Sequence, residues 1–323
     1  MFKGIVGSRW RLPIAAVSAA LVFAPLIIPV FWIYILTLIF VTALLAISLN
    51  LVLGYGGIYQ FHHAVFYGIG AYTTALILTK TSLPMWVGFG AGPLVAAASG
   101  LIIGWFCVRL TKLYFGMLQI SLGSLVWIIV SRAYSITGGD NGIHDIPVPT
   151  LLGSSNGVYY FTLIIFMVSL VVMYLIVKSP FGCTLQATRD NPQRCEAVGI
   201  NVRRHQLAAI GIAAFFAGVA GVLFVGLERS VFPGLLFWVF SLEVFVMCLL
   251  GGWFTFAGPI VGAAVVVALR TSVSIYTDYW TLVLGVILIL LIFFLPEGVM
   301  GFLLKRLEPR PIEEGRPLAD VAG

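Results

Sequence analysis

Residues 12–79 form a run of 68 positions without a single Asp, Glu, Lys or Arg. In a lipid interior no water is present to satisfy a free backbone N–H or C=O, so such a run must fold as helices that close their own hydrogen bonds. At about 20 residues per crossing, it holds three spans. The rest of the chain follows suit: 61% of its 323 residues are hydrophobic and 9% charged, and mean hydropathy is +1.09. These values lie far outside soluble globular usage. The expected fold class is all-α, a polytopic transmembrane helical bundle.

Candidate spans lie near 12–33, 35–53, 60–79, 85–108, 113–136, 158–177, 206–227, 235–250, 256–272 and 279–303. The third, eighth and ninth are glycine-rich or short enough to be re-entrant. Lys and Arg should gather in alternate loops, on the cytoplasmic side. With both termini inside, Lys3, Arg9, Arg11, Arg109, Lys112, Lys178, Arg189, Arg194, Arg203, Arg204, Lys305, Arg306, Arg310 and Arg316 all fall there. These are 14 of the 18 basic residues, leaving Lys80, Arg132, Arg229 and Arg270 for the other side. Ten crossings satisfy this pattern; eight, with two re-entrant hairpins, satisfy it equally. The expected division is a cytoplasmic N-terminus over 1–11, a membrane domain over 12–303 and a cytoplasmic tail over 304–323.

The net charge of +6 is then an orientation signal, and no nucleic-acid partner is expected. Arg9 and Arg11 before an apolar run resemble the start of a signal peptide, with Ser18-Ala19-Ala20 as a small-residue site. The apolar stretch continues to Tyr34, which favours an uncleaved first span. Cys107, Cys183, Cys195 and Cys248 form no CxxC pair, so free thiols and no metal site are expected. No GxxxxGK[ST] occurs, so this chain has no P-loop for nucleotide phosphates. The extramembrane segments are too short for a folded domain. Any motor or receptor must be a separate chain.

One basic island stands out between spans, Lys178 to His205. Pro192 pushes Asn191 out of the α region, so Asn191 ends one helical piece and caps the next, with Pro192 at its first position. Gly199 supplies a stop. The spacing predicts a helix of about two turns over Pro192–Val198, preceded by a longer piece beginning near Gly182. So short a helix is unstable alone. It must pack on its own bundle or dock in a partner's groove.

Glycines cluster at Gly54, Gly56, Gly57, Gly68 and Gly70, at Gly211, Gly218 and Gly221, and at Gly251, Gly252, Gly258 and Gly262. Close helix packing explains them; so do broken helices at Gly54–Gly57 and Gly251–Gly258 beside a translocation path. Gly90-Ala-Gly-Pro93 and Phe256-Ala-Gly-Pro259 suggest a weak internal duplication. Glu243 lies within an apolar segment, where an unpaired carboxylate costs about 2.5–3.5 kcal/mol or more. It is a candidate substrate, gate or proton site, or a satisfied interhelical partner. Gln60, His62, His63 and Asn50, with Ser48, are candidate path-lining or packing residues. Adjacent histidines on a helix face different ways, which argues against a metal site. A self-sufficient secondary transporter with Glu243 as its proton site would account for the glycines and the acid but leave the island idle. A membrane enzyme would need polar groups less scattered than His62, His63, Glu243 and Asp278.

Six phrases carry a resemblance: Ser48-Leu-Asn-Leu-Val-Leu-Gly-Tyr55, His63-Ala-Val-Phe-Tyr-Gly-Ile-Gly-Ala-Tyr72, Tyr114-Phe-Gly-Met-Leu118, Thr137-Gly-Gly-Asp-Asn-Gly142, Ala187-Thr-Arg-Asp-Asn-Pro192 with Glu196-Ala-Val-Gly-Ile-Asn201, and Gly251-Gly-Trp-Phe-Thr-Phe-Ala-Gly-Pro259. In order and spacing they resemble the permease subunits of branched-chain amino acid ABC importers, more the longer of the two permeases. The resemblance implies a BtuC-like importer core in a bacterial inner membrane. Its implied partners are a second permease, two ATPase subunits that bind ATP and Mg, and a periplasmic solute-binding protein; this chain would hold no cofactor. Arg189, Asp190, Asn191, Pro192, Glu196, Ala197 and Gly199 match the family's ATPase-coupling segment. Gln60-Phe61-His62 departs from the family phrase, replacing small residues with bulkier ones, and leaves the cargo open among amino acids, amides and carboxylates.

Overall fold

The computed structural model describes residues 20–110, 113–149 and 152–275, together with 279, 282, 283, 285–287, 289 and 298–301. Among these no strand forms; one isolated bridge joins Ile143 to Val231. The termini, and nearly all of the tenth expected span, lie outside the described residues.

Residues 20–27 are helical and stop at Pro29, which precedes α1, Val30–Asn50. The first two expected spans therefore divide at Pro29 rather than near residue 34, because proline sits readily at a helix start and poorly within one. A π-turn, Leu51–Tyr55, extends α1. α2 is Ala64–Lys80, α3 Met85–Cys107 and α4 Leu113–Arg132. α5 is Ser155–Lys178, α6 Pro180–Asp190 and α7 Pro192–Ala197. α8 is Val202–Glu228, α9 Trp238–Gly251 and α10 Gly258–Val273.

Five of these stretches are long and apolar enough to cross a membrane: Val30–Tyr55, Trp86–Cys107, Leu113–Arg132, Ser155–Lys178 and Val202–Glu228. α9 and α10 are shorter and apolar. α8 is the central helix, packed on α3, α2 and α1. Its closest approaches are at glycines. A Cβ on Gly70 would stand 2.6 Å from the Cα of Gly218, and one on Gly221 would stand 2.1 Å from the carbonyl of Tyr67. Here the glycines serve close packing. The Gly-Pro phrases occupy unlike places, Pro93 inside α3 and Pro259 at the start of α10, so they are not equivalent parts of a repeat.

Hydrogen bonds sort the helix ends into two sets. At one end Tyr34 of α1 donates to Glu228 of α8, Lys80 to the Ser135 carbonyl at 2.7 Å and Arg229 to the carbonyls of Leu152 and Gly153. At the opposite end the π-turn, α6, α7 and the α9–α10 link come together. Large apolar side chains such as Leu113, Met117, Ile128, Ile164 and Val168 remain exposed on α4 and α5, as a surface facing hydrocarbon would be.

Candidate functional site

The basic island folds as three consecutive capped helices. Ser179 accepts from the Gly182 N–H at the start of α6. Asn191 ends α6, its N–H reaching the Ala187 carbonyl at 3.0 Å, and its Oδ1 accepts from the Arg194 N–H at 3.0 Å to start α7. Asn201 repeats the device for α8, accepting from the Arg204 N–H at 3.1 Å. Between them Gly199 takes φ +87°, its N–H bonds to the Glu196 carbonyl, and the Ile200 N–H reaches back to Cys195. That pair of bonds is a Schellman stop. α7 has its two ends fixed within six residues.

α7 rests on one side chain. Cys195 is buried, whereas Pro192, Gln193, Arg194, Glu196 and Ala197 are exposed, and Val198 just beyond is 75% exposed. The sequence placed α7 and its stop correctly. It missed the start of α6 by about two residues, because Ser179 was not seen as a cap, and the start of α8 by four, because Asn201 was not.

α6 lies against the π-turn. A Cβ on Gly56 would meet Leu185 at 3.4 Å, and one turn on from Leu185, Arg189 donates from a guanidinium nitrogen to the Gly54 carbonyl at 2.7 Å. The stem of Arg189 crosses Gly57, where φ is +64° and a Cβ would sit 2.4 Å from Cγ. The guanidinium also pairs with Asp190 at 2.9 Å and lies 5.6 Å from the Phe254 ring. A π-turn leaves carbonyls poorly matched by the helix ladder; Arg189 occupies one of them.

The second broken element meets the first at the same place. Gly252 takes φ +104° after α9, and the Thr255 hydroxyl links the Gly252 carbonyl to the Gly258 N–H at 2.9 and 3.0 Å. Asn50 Nδ2 donates to the Thr255 carbonyl at 3.2 Å, and a Cβ on Gly54 would stand 2.2 Å from the Trp253 carbonyl. Gly298, φ +74°, also comes close: a Cβ there would stand 2.6 Å from the Cα of Gly252. Both glycine clusters that suggested broken helices are breaks, and they form one joint.

Gln60, His62 and His63 lie before α2, not within it, since the helix begins at Ala64. The two rings diverge. His63 Nε2 lies 2.8 Å from the Ser48 hydroxyl; His62 faces the Leu236 carbonyl at 2.7 Å and that of Ile120 at 3.3 Å. A neutral imidazole has one N–H, which goes to the shorter contact. The backbone N–H of His62 donates to Gln119 Oε1, and the Ser241 hydroxyl accepts from the backbone N–H of Ala64. Among the described residues, buried polar atoms around this irregular segment have no hydrogen-bond partner: both amide atoms of Gln60, Nε2 of Gln119, Nδ1 of His63 and Oδ1 of Asn50. Sequence reasoning overlooked Gln119 and Ser241. Gln119 could have been found as the lone amide in apolar α4.

Glu243 stands apart from this row. It lies in the second turn of α9 and faces Arg270 of α10 at 3.7 Å, so it has a counter-charge and is not an isolated acid. Nothing brings it together with His62, His63 or Asn50.

Residues 31–292 match the family described as branched-chain amino acid transport system, permease component. The chain is 30% identical over 291 residues to the high-affinity branched-chain amino acid transport system permease protein LivM of Escherichia coli K12, covering 82% of this chain and 68% of that one. It is 28% identical over 284 residues to BraD of Pseudomonas aeruginosa, at 80% and 91% coverage. LivH of Escherichia coli K12 is 26% identical over 289 residues, at 80% and 91%. No solved structure gives a significant match.

Proposed function

The chain belongs to the branched-chain amino acid transport system permease family, and on that premise we propose that it is the membrane-spanning subunit of an ATP-driven importer. Its cargo is a branched-chain amino acid or a related small amino acid, amide or carboxylate. It performs no chemistry itself. ATP and Mg are bound by two partner ATPase subunits, a sister permease completes the path, and a periplasmic binding protein delivers the cargo. The setting is a bacterial inner membrane, the chain crossing about ten times in a BtuC-like arrangement with both termini cytoplasmic.

The observation that carries this proposal is α7: a helix capped at both ends, exposed on all but Cys195, and joined through α6 to the meeting point of two broken helices. A two-turn rod with fixed ends transmits displacement where a flexible loop would absorb it. Closure of the ATPase pair displaces α7, α6 follows, and Arg189 passes the motion to the Gly54 carbonyl and the joint beneath it. A coupling of this kind needs two arrangements of one packed element. The buried amide and imidazole groups from Asn50 to His63, with Gln119, line the neighbouring path, where unpartnered polar atoms can meet a polar cargo in passage.

The test is reconstitution. The tagged chain, extracted with its partners and placed in vesicles, is expected to take up labelled leucine or valine only with ATP and a receptor present. A lone chain moving solute in ATP-free vesicles would replace this reading with a secondary transporter.

A further inference from the structure

At the end of the bundle that carries α7, a cavity of about 400 Å³ opens between the last turn of α3 and the first turn of α8. Its lining is Trp105, Val108, Arg109, Arg203, Arg204 and Leu207, beside the cap residue Asn201. Three arginines meet there with no carboxylate among the lining residues, and none of the three has an ion-pair partner among the described residues. Orientation by basic residues explains why arginines lie at this end. It does not explain why three, from segments almost a hundred positions apart, share one concave site.

The walls grade from apolar to charged along the helix axis. Leu101 and Trp105 lie one turn apart on α3 and share a stripe, and Arg109 stands two residues past the helix's end. Leu101 and Trp105 are 43% and 48% exposed, and the Arg109 guanidinium lies 3.8 Å above the indole. An indole under a guanidinium is the chemistry of the boundary between hydrocarbon and water. On α8, Arg203, Leu207 and Gly211 make the facing stripe, and Gly211 leaves room against which Leu101 packs.

We propose that this cavity binds the phosphate-bearing headgroup of an anionic phospholipid, with the acyl chains lying along the exposed apolar face of α3. Three guanidiniums supply planar, forked donors suited to phosphate oxygens, and the apolar stripe begins where a headgroup ends. A basic pocket between transmembrane helices is a recognised form of lipid site. The site is independent of which cargo the chain carries.

The test uses the full chain with whatever subunits accompany it, in detergent, with dioleoylphosphatidylglycerol, dioleoylphosphatidylcholine or inorganic phosphate added at matched concentration. Native mass spectrometry should show retained phosphatidylglycerol, and thermal unfolding should shift upward with that lipid alone. Arg203→Gln and Arg204→Gln should each weaken retention by about fivefold, the factor equivalent to about 1 kcal/mol per basic residue at an anionic surface. Arg203→Lys and Arg204→Lys should restore most of it, while Arg132→Gln, outside the cavity, should leave lipid retention unchanged. Equal retention of phosphatidylcholine, or equal protection by inorganic phosphate, would overturn the assignment. So would arginine variants that keep the lipid but lose an accompanying ATPase subunit, since the cluster would then be a protein-docking surface.

Discussion

The guanidinium of Arg189 donates to the carbonyl of Gly54 across 135 positions of sequence, at 2.7 Å. Because Gly54 itself abuts the Trp253 carbonyl, this one bond connects α6, and the exposed α7 that follows it, to both broken elements of the bundle.

Replacing Arg189 by Gln should separate ATP consumption from transport. A hydrogen bond to a charged group contributes about 1.5–3 kcal/mol, so uptake per ATP is expected to fall by about tenfold or more while the protein still assembles. Arg189→Lys should lose less, since an ammonium can still reach one carbonyl. Uptake and hydrolysis measured in the same vesicles decide it; an unchanged ratio in Arg189→Gln would dismiss the linkage.

Gly57→Ala should lower the unfolding temperature of the solubilised protein. The left-handed backbone costs about 1–3 kcal/mol for a non-glycine residue, and the new Cβ meets the Arg189 stem. In an Arg189→Ala background the steric share disappears, so the two losses should fall short of their sum by about 0.5 kcal/mol or more. Strict additivity would show that the stem does not press on Gly57.

Glu196→Lys should leave the protein inserted yet uncoupled from ATP, because Glu196 lies on the exposed surface of α7. Asn191→Ala should act more gently, removing a cap worth about 0.5–2 kcal/mol and fraying the same helix. Gly199→Pro removes the N–H that bonds to Glu196 and fixes φ at the wrong sign. Normal uptake in a well-expressed Gly199→Pro variant would count heavily against α7 as the docking element.

Glu243→Gln should leave the pH profile of uptake unchanged. Arg270 is 51% exposed and Glu243 12%, so the pair is screened by solvent on the arginine side only, and the amide of the Gln variant can still accept from the guanidinium. A small loss of thermal stability with intact transport is expected. A shifted pH optimum would reinstate Glu243 as a proton site.

Gln60→Leu should raise stability and lower transport together. Removing two buried polar atoms without partners relieves a desolvation cost of about 1–3 kcal/mol, whereas a path-lining amide would be missed by the cargo. Unaltered leucine uptake in a more stable variant would exclude Gln60 from the path.

What the sequence disclosed follows from how local each signal is. Asn191-Pro192 and Gly199 set α7 because caps and stops act within a few residues, and the charge-free run set the class because lipid admits few backbone solutions. Pro29 was passed over inside a hydrophobic stretch whose composition does not change across it. The glycine clusters at Gly54 and Gly252 were visible as breaks, yet nothing local tells that Asn50 bonds to Thr255 or that Arg189 reaches back to Gly54. Those contacts depend on which helices lie side by side. Glu243 stayed open between a transport site and a satisfied interhelical partner for the same reason: its counter-charge is on the next helix.

α9 and α10 meet through backbone. A Cβ on Gly262 would stand 1.8 Å from the Met247 carbonyl, and one on Gly251 1.9 Å from that of Gly258. At these two crossings the contact is backbone, with no rotamers to exchange, so it does not slip by repacking as a leucine-filled interface does. The two helices are a single stiff hairpin, and whatever turns one of them carries the other through the same angle.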